Sequence, residues 1–336
     1  MHTEKRVVMT RTPFRISFAG GGTDIPDYYR NYGVGAVVSA TMNRYVYIIV
    51  NDDFYGGSYR AHYSKVEDYT PSIEGIRHPS IRECIRLVGV DKGIEVTTVA
   101  DMPARGTGIG SSSSFAVGLL NALHIWKGEV AIPEQLAKEA IKVEREVLNE
   151  PGGRQDQYVA AMGGLMLMEF NKDESVNIKR VKMENAKMQE FNRHLLLLFT
   201  GKERHSGEIH MKQMARVSAC FGTYKKMADL AHRQFAALED GRWEETGRIL
   251  HENWMLKKTL VTGISDPYID TLYDTALRNG AEGGKIMGAG GGGFLLLFAP
   301  PEKHEQILGA LPDLKQEKVS LELSGSTAIY SQGLNP

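Results

Sequence analysis

The stretch Pro103-Ala-Arg-Gly106-Thr-Gly108-Ile-Gly110-Ser111-Ser112-Ser113-Ser114 decides how this chain is read. Glycines at alternate positions let a backbone turn tightly and approach a ligand closely. The serines then lead into the apolar stretch Phe115–Trp126, and Ile94–Val99 ahead of the loop reads as a strand. Strand, loop and helix in that order make a phosphate site. Free N–H groups at a helix start, with the helix dipole, favour phosphate. Serine hydroxyls can donate to phosphate oxygens or face Mg2+, an oxygen-seeking ion. The sequence GxxxxGK[ST] occurs nowhere, so this loop is not a Walker-type P-loop. The competing reading is a flexible Gly/Ser linker.

Two further glycine clusters stand on either side. In Arg15-Ile-Ser-Phe-Ala-Gly20-Gly21-Gly22-Thr23-Asp24, a strand delivers Arg15, the glycines turn the chain, and Asp24 emerges beside them. A carboxylate next to open backbone suits sugar hydroxyls; taken alone, Asp24 reads as a helix N-cap before Ile25-Pro26. Gly288-Ala-Gly290-Gly291-Gly-Gly293 matches GxGxxG but runs into the strand Phe294–Phe298 rather than a helix. A nicotinamide-binding oxidoreductase is thereby excluded. The expected role of this cluster is to bring backbone close to a ligand or to the Gly106–Gly110 loop. The chain holds 36 glycines in 336 residues, above the usual ~7%, and many fall in these clusters.

The bulk numbers are those of a globular enzyme: 42% hydrophobic residues, 24% charged, and a net charge of −1, which offers no global field for nucleic acid or an anionic membrane. Cys84 and Cys220 lie in no CxxC or Cys/His-rich setting, so neither a zinc site nor a disulfide framework is expected. The apolar runs Leu195–Phe199 and Phe294–Ala299 are far shorter than the ~18 residues of a membrane span. The opening MHTEKRVV has no apolar signal region, and a cytoplasmic protein is expected.

Along the chain, Lys5–Phe18 is expected to form a strand pair broken near Pro13, and Val37–Ser39 and Tyr45–Val50 to be separate strands. Pro133–Leu148 is expected to be one helix, with Leu136, Ala140, Val143 and Val147 along its apolar face. The second half is expected to hold a strand at Leu195–Phe199, helices between Gly207 and Asn279, the strand Phe294–Phe298, a helix near Glu302–Leu311 and a last strand near Val319–Glu322. The polar stretch Asn171–Gln189 sets the expected boundary between domains 1–185 and 186–336.

Taken together, Thr12–Asp24, Pro103–Ser114 and Gly284–Gly293 resemble the three motifs of the GHMP kinase superfamily, in the same order, and Gly153-Arg-Gln-Asp156-Gln157 lies between the second and third. Within the superfamily, Gly20–Asp24 and Gly153–Gln157 are similar to the versions in kinases of D-glycero-D-manno-heptose 7-phosphate, with fucokinases close by. Galactokinases differ, carrying Glu-His where this chain has Gly21-Gly22. The resemblance implies an α+β, two-domain GHMP kinase fold: an N-terminal domain like the second domain of ribosomal protein S5, holding the ATP loop and catalytic aspartate, and a ferredoxin-like C-terminal domain. It implies transfer of the γ-phosphoryl of ATP, with Mg2+, to the anomeric hydroxyl of a sugar or sugar phosphate. The alternatives are a fucokinase-like or other sugar-1-kinase, a non-catalytic sugar sensor, and a decarboxylase that consumes ATP.

The resemblance also implies roles for particular residues. Asp156 would be the base and Arg15 the cation beside it. Pro103, Arg105, Gly106, Thr107, Gly108, Gly110, Ser111, Ser112 and Ser113 would bind ATP. Ser112 would hold Mg2+ together with Glu144, which lies twelve residues before Asp156; Glu146 is the alternative. Asp24, Gly21 and Gly22 would meet the sugar, and Gly288, Gly290 and Gly291 would lie near the site. Lys202 and Arg204, in a donor-rich loop after a strand, are the candidates for a phosphate on the sugar. Lys285 is read as a loop lysine of open role.

Overall fold

The computed structural model describes residues 5–333 apart from 92, 104–105 and 203–205. Strand β1 (Val7–Ser17) leads through helix α1 (Pro26–Tyr29) into strand β2 (Gly35–Asp52). Strands β3 (Tyr59–His62) and β4 (Val66–Thr70), helix α2 (Pro79–Val88) and strand β5 (Ile94–Ala100) follow. Next come helices α3 (Ser111–Lys127), α4 (Pro133–Ile141) and α5 (Gln155–Met162), then strands β6 (Leu165–Phe170) and β7 (Val176–Arg180). The second half runs through α6 (Asn185–Arg193), β8 (Leu195–Phe199), α7 (Ser206–Ala215), α8 (Val217–Asp240), α9 (Trp243–Lys258) and α10 (Pro267–Arg278). Strands β9 (Gly283–Ile286) and β10 (Phe294–Phe298), helix α11 (His304–Ala310) and strands β11 (Lys315–Glu317), β12 (Leu321–Glu322) and β13 (Thr327–Gln332) complete it.

Two sheets carry these elements. The larger has nine strands and is organised by β2, an 18-residue strand. The Gly35–Ala40 end of β2 pairs with β6, its Val46–Asp52 end pairs with β5, and β1 lies antiparallel to it from end to end. Residues 35–42 of β2 are buried throughout, whereas residues 43–52 largely alternate, as in a strand with one covered face. The smaller sheet, in the order β11-β8-β10-β9, is antiparallel, and its central strands Leu195–Phe199 and Phe294–Phe298 are apolar at every position. Unbroken burial along β10 explains why these runs do not alternate.

Several expectations need correction. Strand β1 runs unbroken through Pro13, and the proline is accommodated by a register shift: Pro13 faces Tyr45 while Phe14 faces Met42. A proline cannot donate to the ladder, and the bulge removes the need for it to do so. The two expected strands Val37–Ser39 and Tyr45–Val50 are likewise one continuous strand, β2. The expected helix Pro133–Leu148 ends as an α-helix at Ile141 and continues as a π-helical turn over Lys142–Val147. The wider turn rotates the face, so Glu144 is fully buried while Val147 is 46% exposed.

The chain closes on β13, not at Val319–Glu322. Strand β13 pairs with β1, and the two-residue strand β12 pairs with β2. Ser326 Oγ accepts from Thr12 Oγ1 (2.8 Å) and Asn121 Nδ2 (3.0 Å). The last strands thus cover an edge of the N-terminal sheet that would otherwise expose unpaired backbone, and strand pairing does not respect a division into 1–185 and 186–336. The two sheets share one continuous core, with Phe18 of the first half against Phe191 of the second at 5.7 Å. Among the described residues, no helix is long and apolar enough to cross a membrane.

Near the end of α3, buried His124 lies between Glu129 (Nδ1 to Oε2, 2.7 Å) and Glu139 (Nε2 to Oε2, 2.8 Å). The Glu139 hydrogen bond raises the imidazole above its ordinary value, burial opposes it, and Glu129 adds to the rise. A raised folded-state value means that stabilisation is fully present below about pH 6.5, where the unfolded chain also binds the proton, and is lost as pH rises through the folded value. The Tm difference between the parent and His124→Gln should therefore be largest below about pH 6.5 and shrink as pH rises through the raised folded-state value. A pH-independent difference in thermal melts would refute this.

Candidate active site

The Gly106–Gly110 loop and the Gly288–Gly293 loop dock backbone to backbone. Gly108 has φ of +75°, and a Cβ there would lie 2.4 Å from the Met287 carbonyl oxygen. Phe294 N donates to Thr107 O (3.2 Å), and Thr107 Oγ1 donates to Pro103 O (3.1 Å). Gly110 caps α3 in a left-handed conformation, φ +75°, and a Cβ there would sit 3.3 Å from Asp156 Oδ2 and 3.0 Å from Arg15 Cγ. The glycine loop thus forms a wall against which two charged side chains lie.

Those side chains form a two-pronged pair. Arg15 reaches from β1: its Nε donates to Asp156 Oδ1 (2.8 Å), its Nη2 to Asp156 Oδ2 (2.7 Å), and its Nη1 to Gly108 O. Arg15 is buried and Asp156 is about one-fifth exposed, at 21%. Burial pushes the Asp156 carboxyl up, and the Arg15 guanidinium more than offsets this, so the group lies below the ordinary carboxylate value. Asp156 stands in the first turn of α5, and the start of that helix is fixed from across the fold. Asp24 Oδ2 accepts from Gln155 N (3.0 Å) while its Oδ1 accepts from Gly22 N (2.9 Å). Asp24 therefore caps α5 rather than α1, whose own N-cap, Ile25, has no side-chain bond.

The next residue on α5 serves a second cluster. Gln157 Nε2 donates to Glu144 Oε2 (2.6 Å), which also accepts from Ser113 Oγ (2.7 Å), while Ser112 Oγ donates to Glu144 Oε1 (2.6 Å). The π-helical turn is what aims Glu144 at the serines; Glu146 is exposed. A buried carboxylate with a serine hydroxyl at a helix start is a hard-oxygen donor set that fits Mg2+, which takes one or two carboxylates and fills its shell with phosphate oxygens and water. Among the described residues there is no cluster of three or more His, Cys, Asp or Glu side chains suited to a metal.

A cleft opens over the ion pair. Its lining includes Arg15, Gly21, Gly22, Asp24, Asp156 and Gly288, all singled out in the sequence. It also includes Ser17, Arg145, Gln155, His210, Gln213, Lys257 and Lys285, to which the sequence assigns no site role. Lys285 is no loop lysine: it is a fully buried residue of β9 whose Nζ donates to Phe18 O (3.3 Å). Burial drives its ammonium well below the ordinary lysine value, with Lys257 and Arg15 adding to the effect and Asp24 and Asp156 opposing it. Arg145 and Lys257 are charged residues on helical segments, and a charged helical side chain reads in sequence as part of a wet face.

Other expectations are met differently. Lys202 does not reach the cleft; it pairs with Asp266 (2.8 Å) and lies over the Tyr268 ring. Arg105 and Arg204 lie outside the described residues. Gly290 packs against Ile264 and Gly291 N donates to Ile264 O (2.7 Å), so these two shape the loop and Gly288 alone of the three lines the cleft.

Two family profiles match the chain: GHMP kinases N terminal domain over residues 79–164 and GHMP kinases C terminal over residues 234–315. The chain belongs to the GHMP kinase family, and the α+β fold described above is the fold of that family. It is a phosphotransferase with an alcohol acceptor, a sugar kinase related to the heptose phosphate kinases. It is 29% identical to the D-glycero-alpha-D-manno-heptose 7-phosphate kinase of Campylobacter jejuni over 321 residues, 91% of this chain and 93% of that one. It is 26% identical to the L-fucokinase/L-fucose-1-P guanylyltransferase of Bacteroides fragilis, spanning 88% of this chain but 35% of that longer protein. Among solved structures, a D-glycero-D-manno-heptose 1-phosphate kinase from Bacteroides thetaiotaomicron superposes with a TM-score of 0.79 at 26% identity, over 96% of this chain and 99% of that one.

The docking of the two loops can be tested against a glycine with the same backbone strain and no neighbour. Gly56 has φ of +80° and nothing within 4 Å of where a Cβ would stand, whereas Gly108 has φ of +75° and a carbonyl oxygen at 2.4 Å. Both alanine variants incur the left-handed cost of about 1–2 kcal/mol. Gly108→Ala should lose clearly more stability than Gly56→Ala in denaturant titrations, and equal losses would contradict the close contact.

Proposed function

We propose that this kinase transfers the γ-phosphoryl of ATP to the anomeric hydroxyl of a sugar phosphate, D-glycero-D-manno-heptose 7-phosphate, giving the 1,7-bisphosphate. The observation that carries this reading is the Arg15–Asp156 pair, set against the glycine loop at the base of a cleft that holds more cations than carboxylates. The heptose kinase named above supports the choice of sugar through its similarity along nearly the whole chain.

In this reading the triphosphate lies over Gly106–Ser113 at the start of α3. Ser112 and Glu144 would hold Mg2+, which neutralises charge on the β- and γ-phosphates when bound. The sugar's C1 hydroxyl faces Asp156. Its oxygen attacks the γ-phosphorus, the O1–Pγ bond forms, the Pγ–O bond to the β-phosphate breaks, and ADP leaves. The hydroxyl proton passes to Asp156. Because Arg15 keeps that carboxylate ionised and therefore weakly basic, the proton moves late, when the hydroxyl oxygen has already lost electron density to phosphorus. Arg15 also offsets negative charge on the phosphoryl in transit. The presence of Arg15, Ser112, Glu144 and Asp156 in one connected site weighs against a non-catalytic sensor. A fucokinase-like activity is the second reading, supported by the similarity to the Bacteroides fragilis enzyme.

An ADP-release screen with ATP and Mg2+ against heptose 7-phosphate, mannose, fucose and galactose tests the substrate; a preference for an unphosphorylated sugar would overturn it. Asp156→Asn should lower kcat by about 10²–10⁴-fold while leaving ATP binding intact. Glu144→Gln should instead raise the Mg2+ concentration needed for half-maximal rate. Full activity in Asp156→Asn would remove the base and leave Asp156 as a positioning group.

A further inference from the structure

We infer that Arg145 and Gln213, with His210 beside them, form the subsite that holds the phosphate already present on the sugar. This rests on the phosphorylated-sugar reading above and replaces Lys202, which is engaged with Asp266 outside the cleft.

The charged groups of the cleft are engaged in different ways. Arg15 and Asp156 neutralise each other, and both oxygens of Asp24 accept from backbone N–H groups. Lys257 belongs to the glycine-loop wall: its Nζ donates to Gly288 O (2.5 Å), and Gly288 packs on Gly108. Lys285 is fully buried, its Nζ donating to Phe18 O, and the charges of Asp24 and Asp156 act on it. Arg145 lines the same cleft. It leaves the π-helical turn to donate from Nε to Gly153 O (3.0 Å), and Gly153 abuts Asp24. Its ion pair with Glu150 is long, at 3.8 Å, and the side chain is 17% exposed, at the cleft it lines. A guanidinium held by backbone carbonyls and lining a cleft, with a long ion pair to Glu150 and its charge acting also on Asp156, presents a planar fork for a phosphate.

Gln213 is the independent observation. It lies on α7, is 2% exposed, lines the same cleft, and its Nε2 has no hydrogen-bond partner among the described residues. A buried donor left unpaired is costly, and a ligand oxygen at that position would satisfy it. His210, three residues earlier on α7, lines the cleft on the same helix face, and its charge reaches Asp156. Arg145 and Gln213 thus reach the same cleft from two separate elements, and the charges of Arg145 and His210 both act on Asp156. A phosphate on the sugar would meet the Arg145 guanidinium and satisfy the Gln213 donor; a neutral sugar offers Arg145 no charged partner.

The test compares steady-state kinetics on D-glycero-D-manno-heptose 7-phosphate and on the same heptose without phosphate, in the parent, Arg145→Ala, Arg145→Lys and Gln213→Leu. Arg145→Ala should raise KM for the phosphorylated heptose by about 10- to 100-fold, the loss of a charged hydrogen bond, with KM for ATP and for the unphosphorylated heptose unchanged. Arg145→Lys should recover part of the loss. Gln213→Leu removes the unpaired donor, so it should melt at the same or a higher temperature without ligand, yet bind the phosphorylated heptose more weakly. If the parent does not prefer the phosphorylated sugar, the substrate reading fails and this subsite with it. If the parent does prefer it but the variants raise KM for both sugars alike, or for ATP, the substrate reading stands and the subsite is overturned. Lowered stability with unchanged KM in Gln213→Leu would also overturn it.

Discussion

Two backbones in direct contact, Gly108 against Met287 and Gly288, hold the rest of this site in place. No side chain fits between them, so the loop before α3 and the loop before β10 can close on each other only as glycine. Once they are closed, the carbonyl of Gly108 faces the Arg15 guanidinium, and Gly110 lies against Arg15 and Asp156. Lys257 then reaches Gly288 O from α9. The contact joins the two sheets and builds one wall of the cleft.

A buried ion pair is weak evidence for stability, because desolvation of both partners offsets much of their attraction. The Arg15–Asp156 pair is better understood through what surrounds it. Both carboxylate oxygens are bonded to the guanidinium, the third guanidinium nitrogen faces a backbone carbonyl, and the helix carrying Asp156 is capped by Asp24. The pair is satisfied and fixed in orientation before any ligand arrives, which is preorganisation of charge rather than a source of folding energy. The sequence marks Asp24 as a sugar-binding group; its geometry first gives it a structural duty, and both its oxygens are already used by backbone N–H groups.

The π-helical turn at Lys142–Val147 shows how a local irregularity sets chemistry. Regular helical spacing would put Val147 on the apolar face. The wider turn exposes Val147, buries Glu144 against Ser112 and Ser113, and sends the adjacent Arg145 into the cleft. One wide turn thus places two neighbouring residues, Glu144 with the serines and Arg145 in the cleft lining.

Much of the fold and of the site was legible in the sequence. The three glycine clusters and the strands Leu195–Phe199 and Phe294–Phe298 could be picked out because their signals are local, a glycine where backbones meet or a short apolar run, whereas Arg15, Asp156, Ser112 and Glu144 were marked by the resemblance of the motifs that hold them. The tertiary structure alone decided the pairing of β13 with β1, the burial of Lys285, the exclusion of Lys202 from the cleft, and the arrival of Arg145, His210 and Gln213 in its lining. Each of these depends on which distant segments become neighbours. A polar side chain on a helix reads in sequence as solvated whichever way it faces, and only packing settles whether that face meets water or a ligand.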